Sequence, residues 1–272
     1  MNSTPKISVV TVTYNSAATL EETMLSVLNQ TYPNIEYIII DGGSTDGTVD
    51  IIKKYVNRLA YWVSEPDQGI YDAMNKGIAV AGGDYINFMN SGDKFYDSNT
   101  IESIFDASHE EDVIYGDTLN ISNLCSYIEH CLPLEEMKRI LPFGHQSTFV
   151  KSTIIRENLF NLHYKSASDY NQLFQIWKKG ANFLYLPHII SVFDARDGFS
   201  ALNKQIVLRE VAEINGSINE RGWYKGYRKK IIIWKIKKEI RKLLPKFLIK
   251  KRNQRNIRKF GQNPRITIYE IF

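Results

Sequence analysis

Four runs of β-branched and aliphatic residues, spaced by segments of helical length, confine this chain to an α/β sheet. Ile7-Ser-Val-Val-Thr-Val-Thr13 and Tyr37-Ile-Ile-Ile-Asp41 are nearly continuous, as strands buried on both faces are. Ala60–Ser64 and Asp84–Met89 are shorter runs of the same kind. Helix-length segments lie between them, over about 18–29, 47–57 and 70–80. Asn15-Ser16 supplies cap chemistry for the first, and Gly82-Gly83 ends the last. Such alternation predicts βαβ units on a mostly parallel, Rossmann-like sheet, with four units complete by residue 93. Beyond that the pattern loosens. Asp112–Tyr115 reads as a strand, residues 168–179 as a helix, and Phe183–Leu186 and Ile189–Phe193 as two short strands.

With 272 residues, 43% of them hydrophobic, the chain can bury one large core and carry an appendage. No apolar run reaches the roughly 18–20 residues that span a bilayer, and no apolar leader core follows Met1. The expected location is therefore the cytosol. Cys125 and Cys131 lie on no metal-type spacing and read as free thiols.

The net charge of +4 conceals a division. Residues 1–222 carry 17 Lys and Arg against 28 Asp and Glu, whereas residues 223–272 carry 17 against 2. This is the composition of an acidic globular domain, 1–222, with a basic arm, 223–272, made for a polyanion. Within the arm Ile232, Ile236, Ile240, Leu243 and Phe247 fall on one helical stripe, with Lys237, Lys238, Arg241 and Lys242 on other faces. Trp223, Tyr224, Tyr227 and Trp234 add aromatics suited to an interface. A basic helix with an apolar stripe over 223–260 suits the plane of an anionic membrane. The plainer alternative is a helix packed on its own domain with solvated charges. Nucleic acid ranks below both, because nothing else in the chain looks like a nucleic-acid module.

The polar turns at the strand ends carry the chemistry. Asn90-Ser-Gly-Asp93 offers hard oxygen ligands at the carboxyl end of a strand, where open α/β sheets bind ligands. Asp93 stands where Mg2+ or Mn2+ could hold a diphosphate; an ordinary polar turn is the other reading. Asp41 ends a buried strand at the same edge and could accept the imide N–H of a uracil or the N1–H and 2-amino groups of a guanine. It could equally cap the helix that follows. Asp67, in the turn Glu65-Pro-Asp-Gln-Gly69, is a further candidate for the pocket. The first βα turn, Tyr14-Asn-Ser-Ala-Ala18, lacks Gly-x-Gly-x-x-Gly, which argues against a dinucleotide-binding domain.

Thr11-Val-Thr-Tyr-Asn15, Asp41-Gly-Gly-Ser-Thr-Asp-Gly47, Glu65–Gly77 and Asn87–Asp93 resemble, in order and spacing, the family 2 inverting glycosyltransferases. His145-Gln-Ser-Thr-Phe149, Ser168-Asp-Tyr170 and Asp197-Gly-Phe-Ser200 resemble that family's later segments, extending the similarity to about residue 200. The resemblance implies a GT-A fold with a nucleotide half over about 1–93 and an acceptor half over about 94–222. It implies a nucleoside-diphosphate sugar donor, UDP-linked, and a lipid-linked or glycan acceptor used in cell-surface polysaccharide assembly at the inner face of the membrane. By the same analogy Thr11, Tyr14 and Asp41 hold the nucleoside, Asp67 lies near the nucleotide and sugar, and Asn90 replaces the first acid of the family's metal motif. Asp93 is then its last acid, on Mn2+ or Mg2+. Asp169 falls at the general base, although an Asp favoured by the dipole of its own helix would look the same. His145 faces the diphosphate or the acceptor, or is structural, and Asp197–Ser200 closes over the nucleotide. A non-catalytic nucleotide-sugar or polysaccharide-binding module is the alternative function.

Overall fold

The computed structural model of the chain describes residues 4–107, 109–122, 125–195, 203–243, 262–263 and 265–271. Strand β1 (Ile7–Thr13) is buried at every position. It pairs in parallel with β2 (Ile35–Asp41) on one side and β4 (Tyr85–Phe88) on the other, and β3 (Tyr61–Ser64) extends the sheet beyond β2. Helices α1 (Leu20–Leu28), α2 (Thr48–Lys54) and α3 (Ile70–Val80) make the crossovers. Because successive side chains of a strand point to opposite faces, the core divides in two. Val10, Val12, Ile38 and Ile40 pack with Met74 and Ile78 of α3, while Ile7, Val9 and Ile39 pack with Leu20 and Met24 of α1 and Ile52 of α2. Burying each such side chain contributes about 1.5–3 kcal/mol. Tertiary packing of this kind, rather than helix propensity, keeps the seven-residue α2 helical.

The second half of the chain adds antiparallel strands. β8 (Thr148–Lys151) runs against β4, and β6 (Val113–Ile121) runs against β8. Two reversals return β6 to the direction of β4, so the carboxyl ends of β1, β2, β4 and β6 share one edge. β7 (Cys125–Glu129) and β10 (Ile266–Ile271) complete the order β10-β7-β6-β8-β4-β1-β2-β3. The short β5 (Lys94–Phe95) pairs with β9 (Phe183–Asp194), which also runs parallel to β6. Helices α4 (Thr100–Phe105), α5 (Ser152–Arg156), α6 (Ser168–Lys178), α7 (Lys204–Ile214) and α8 (Trp223–Leu243) surround this half.

Several expectations change in detail. The two strands read at 183–186 and 189–193 are one strand, β9, with an irregularity at Pro187 that shifts its register against β6. Gly116 makes room for it: a Cβ there would lie 2.6 Å from the His188 carbonyl oxygen. The strand expected to end at Tyr115 continues to Ile121, because Asp117, Thr118 and Asn120 are buried with polar partners. Residues 266–271, grouped by composition with the basic tail, lie in the sheet against β7. Cys125 and Cys131 are both free. Among the described residues no helix is long and apolar enough to cross a membrane.

Candidate functional site

The shared carboxyl edge carries a cavity of about 330 Å3, lined by Thr13 and Tyr14 at the end of β1, Asp67 and Ile70 at the turn into α3, and Asn90 and Ser91 after β4. Gly92 adopts φ +102°, a left-handed conformation that lets the Asn90–Asp93 turn reverse. The turn is pinned by Ser91 N–H to the Val12 carbonyl at 3.2 Å and by Gly92 N–H to Thr23 Oγ1 at 3.0 Å. Two polar atoms in this wall, Thr13 Oγ1 and Asn90 Oδ1, are buried without a hydrogen-bond partner. A buried acceptor left open in this way costs free energy unless a ligand or water completes it.

Asp93 closes that turn, its N–H bonded to the Asn90 carbonyl at 2.9 Å, and does not line the cavity. The pairing of Lys94 with Val192 brings the start of β5 against the end of β9, where Asp194 stands. Burial, reinforced by the charge of Asp194, pushes the Asp93 carboxyl up to about 8. Among the described residues no three His, Cys, Asp or Glu side chains converge on one metal position. The turn itself offers the desolvated carboxyl of Asp93, with Asp194 as its acidic neighbour, and the unpartnered amide oxygen of Asn90. That set fits a hard dication taking its remaining ligands from diphosphate and water, since the positive charge would relieve the repulsion at Asp93.

Two residues expected to hold the nucleoside are placed otherwise. Thr11 is wholly buried two positions below the strand end, its hydroxyl bonded to Tyr37 Oη at 2.9 Å and to the Met89 carbonyl at 2.7 Å. It points into the layer of α1 and α2 and cannot reach the cleft. Asp41 is also fully buried. Its Oδ2 accepts Gly43 N–H at 3.1 Å, Ser44 N–H at 2.9 Å and Ser64 Oγ at 2.6 Å, and its Oδ1 accepts Ser44 Oγ at 2.5 Å. Asp41 organises its own turn rather than capping the helix that follows, since α2 begins at Thr48 with no side-chain cap. Tyr14, 63% exposed, and Asp67, whose Oδ1 accepts Gly69 N–H at 2.8 Å, do line the cavity.

Gly69 and Ile70 also line a second cavity of about 470 Å3, bounded by Tyr71, Leu162, Tyr164 and Lys165. Tyr71 ties this cavity to Asp169, donating its hydroxyl to Asp169 Oδ1 at 3.3 Å. Burial, followed by the charge of Asp169, holds the Tyr71 hydroxyl well above the usual phenol range, so it remains a donor. Asp169 sits in the first turn of α6, but α6 has no side-chain cap; Ser168 Oγ donates instead to the Asn161 carbonyl at 2.9 Å. His145 stacks on Phe88 at 5.6 Å and meets Phe160 edge-on at 5.9 Å. Burial lowers its pKa against the opposing pull of Asp169, leaving it a neutral ring on the Asp169 side. His145 does not line the cavity shared by Tyr14, Asp67 and Asn90.

Two residues went unread in the sequence. Tyr71 occupies an apolar position of α3, where the helical period reads as core. Glu210 of α7 is 8% exposed, and its carboxylate accepts the backbone N–H groups of Lys165, Ser166 and Ala167 at 2.8–3.0 Å. It thereby fixes the segment that leads into Asp169. No local signal marks an acceptor so far along the chain from its donors. Asp197–Ser200 lies outside the described residues.

Residues 8–163 match the family model described as Glycosyl transferase family 2. An uncharacterized glycosyltransferase of Mycobacterium tuberculosis is 32% identical over 184 residues, covering 62% of this chain and 68% of the relative. Among solved structures, Staphylococcus aureus TarS 1–349 in complex with UDP-GlcNAc superposes with a TM-score of 0.60 at 20% identity, covering 79% of this chain and 67% of that one. A Pyrobaculum calidifontis mannosyltransferase in complex with GDP-Man and Mn2+ superposes with a TM-score of 0.62 at 17% identity, covering 80% and 66%.

Proposed function

The chain belongs to glycosyl transferase family 2 and has the GT-A fold, and from that premise we propose that it moves one sugar, with inversion, from UDP to a hydroxyl of a lipid-linked or glycan acceptor. The observation that carries this reading is a pair of neighbouring cavities that share Gly69 and Ile70 in their walls. One holds Tyr14, Asp67 and Asn90, and the other leads through Tyr71 to Asp169. Donor and acceptor can therefore meet with the carboxylate on the acceptor's side.

In this reading Tyr14 covers the nucleoside and Asp67 orients the diphospho-sugar. Asp169 takes the proton of the attacking hydroxyl as the new glycosidic bond forms and the bond to the diphosphate breaks. Tyr71 holds that carboxylate in place, and neutral His145 closes the wall behind it. A divalent cation, Mn2+ or Mg2+, held by Asp93 and Asn90 supplies positive charge against the departing diphosphate when bound. UDP is the donor nucleotide favoured by the TarS complex, and the mannosyltransferase complex supports the use of a dication.

The helix α8 supports work at an anionic membrane surface, and with it a role in cell-surface glycan assembly. Its stripe residues Ile232, Ile236 and Ile240 are 51%, 52% and 46% exposed, so they are not packed on the domain. A thermal-shift titration of UDP, UDP-GlcNAc and GDP-Man with and without Mn2+ tests the donor assignment. A rise in melting temperature with UDP that requires Mn2+ in the wild type and vanishes in Asp93→Ala is expected. Equal shifts in both proteins would remove Asp93 from the site.

A further inference from the structure

A third cavity, of about 210 Å3, lies on the same carboxyl edge but shares no lining residue with the cavity of Tyr14, Asp67 and Asn90. Its wall includes Asn120 at the end of β6, Glu129 of β7, Phe143, Gln146, Phe193 of β9 and Arg265 from the segment leading into β10. Two of these residues adjoin site residues in the chain: Gln146 follows His145, and Phe193 precedes Asp194.

The charges around the cavity are matched among themselves. Arg265 pairs with Glu129 at 3.2 Å, and Asp117 accepts His130 Nδ1 at 2.6 Å while His130 Nε2 meets Thr267 Oγ1 at 3.0 Å. Among the described residues of the lining, no cation is left over to select a phosphate. What remains open is the carboxamide of Gln146 and one N–H of the already paired Arg265 guanidinium. Gln146 is 8% exposed, and among the described residues its carboxamide makes no hydrogen bond. Arg265 Nε is buried without a partner. An amide offers both a donor and an acceptor to adjacent hydroxyls, and phenyl faces take the C–H face of a ring.

We infer that this cavity binds an uncharged pyranose of the acceptor, with its hydroxyls on Gln146 and Arg265 and its ring against Phe143 or Phe193. This inference rests on the sugar-transfer reading given above and names the acceptor class as a glycan with a neutral sugar behind its attacking unit, since this cavity shares no wall with that of Tyr71. β10 has a role in it, since the return of the chain to the sheet delivers Arg265.

The test uses the full chain with UDP and Mn2+ and a panel of methyl glycosides of glucose, galactose, mannose, rhamnose and N-acetylglucosamine, read by saturation-transfer NMR. At least one glycoside is expected to show transfer in the wild type, with its dissociation constant raised about tenfold in both Gln146→Leu and Arg265→Met. The melting temperature of each variant shows whether it is folded, and the two variants act independently if one fails. Absence of transfer from every glycoside, or equal affinity in a folded variant, overturns the inference. UDP binding in the wild type separates the two readings: if UDP fails to bind while a glycoside binds through Gln146, the donor assignment falls and the sugar site stands.

Discussion

Tyr71 and Asp169, 98 positions apart, meet through a 3.3 Å hydrogen bond that joins the helix after the donor turn to the helix carrying the carboxylate. The bond makes the orientation of Asp169 depend on the element that also shapes the donor side. Tyr71→Phe retains the ring stacked on Phe160 at 5.5 Å and removes only the hydroxyl. The expected result is a fall in kcat of about three- to tenfold, as for one lost hydrogen bond, with KM for the donor nearly unchanged. Steady-state kinetics check it, and an unaltered kcat would show that the contact is structural alone.

Glu210 provides a second handle on the same carboxylate. Glu210→Ala strands three backbone N–H groups, that of Ala167 in a buried position, which costs about 1–3 kcal/mol of stability. Urea unfolding measures that loss. In the folded variant kcat should fall while Mn2+-dependent UDP affinity holds, because the donor cavity contains none of residues 165–167.

The half of the fold built from local alternation was legible, and the half built from long-range polar matching was not. Continuous aliphatic runs mark β1 and β2 because a strand buried on both faces has no polar side to show. β6 hides behind Asp117, Thr118 and Asn120, whose partners His130, Ser147 and Glu129 are supplied only by the folded chain. The turn residues Asp67 and Asn90 were legible because strand ends are where α/β sheets bind ligands. Thr11 was misplaced because its motif lies inside the strand, where strand periodicity aims it into the core. Asp41 was ambiguous for a physical reason: a carboxylate that can accept a base N–H can also accept those of its own turn.

Acid titration probes the join between β1, β2 and β4. Burial would raise the Glu36 pKa, but Gly82 N–H, Lys6 and Ser8 together outweigh it and hold the carboxylate below 4.5. A folded-state pKa below the unfolded value stabilises the protein above 4.5 and is lost as pH falls through the folded value. The wild type should therefore be more stable than Glu36→Gln near neutral pH, with the difference narrowing below pH 4.5. Melting curves across pH check this, and a difference independent of pH would contradict it.

The exposed stripe of α8 predicts membrane binding driven by both charge and apolar contact. Flotation of the full chain with phosphatidylglycerol vesicles should be strong at low salt and weaker as salt is raised. Ile232→Glu with Ile236→Glu should abolish it without lowering the melting temperature, since both side chains are solvent-facing. Flotation equal to the wild type would assign the stripe to another partner.

In the proposed reaction Asp169 takes the acceptor proton as the sugar leaves its nucleoside diphosphate. The most direct measurement is UDP release from UDP-GlcNAc and related UDP-sugars with Mn2+ and a glycan acceptor panel, comparing the wild type with Asp169→Asn. Acceptor-dependent release is expected in the wild type, with a loss of about 10²- to 10⁴-fold in Asp169→Asn and nearly equal UDP affinity in the two proteins. Acceptor-dependent release by Asp169→Asn at the wild-type rate would contradict that role.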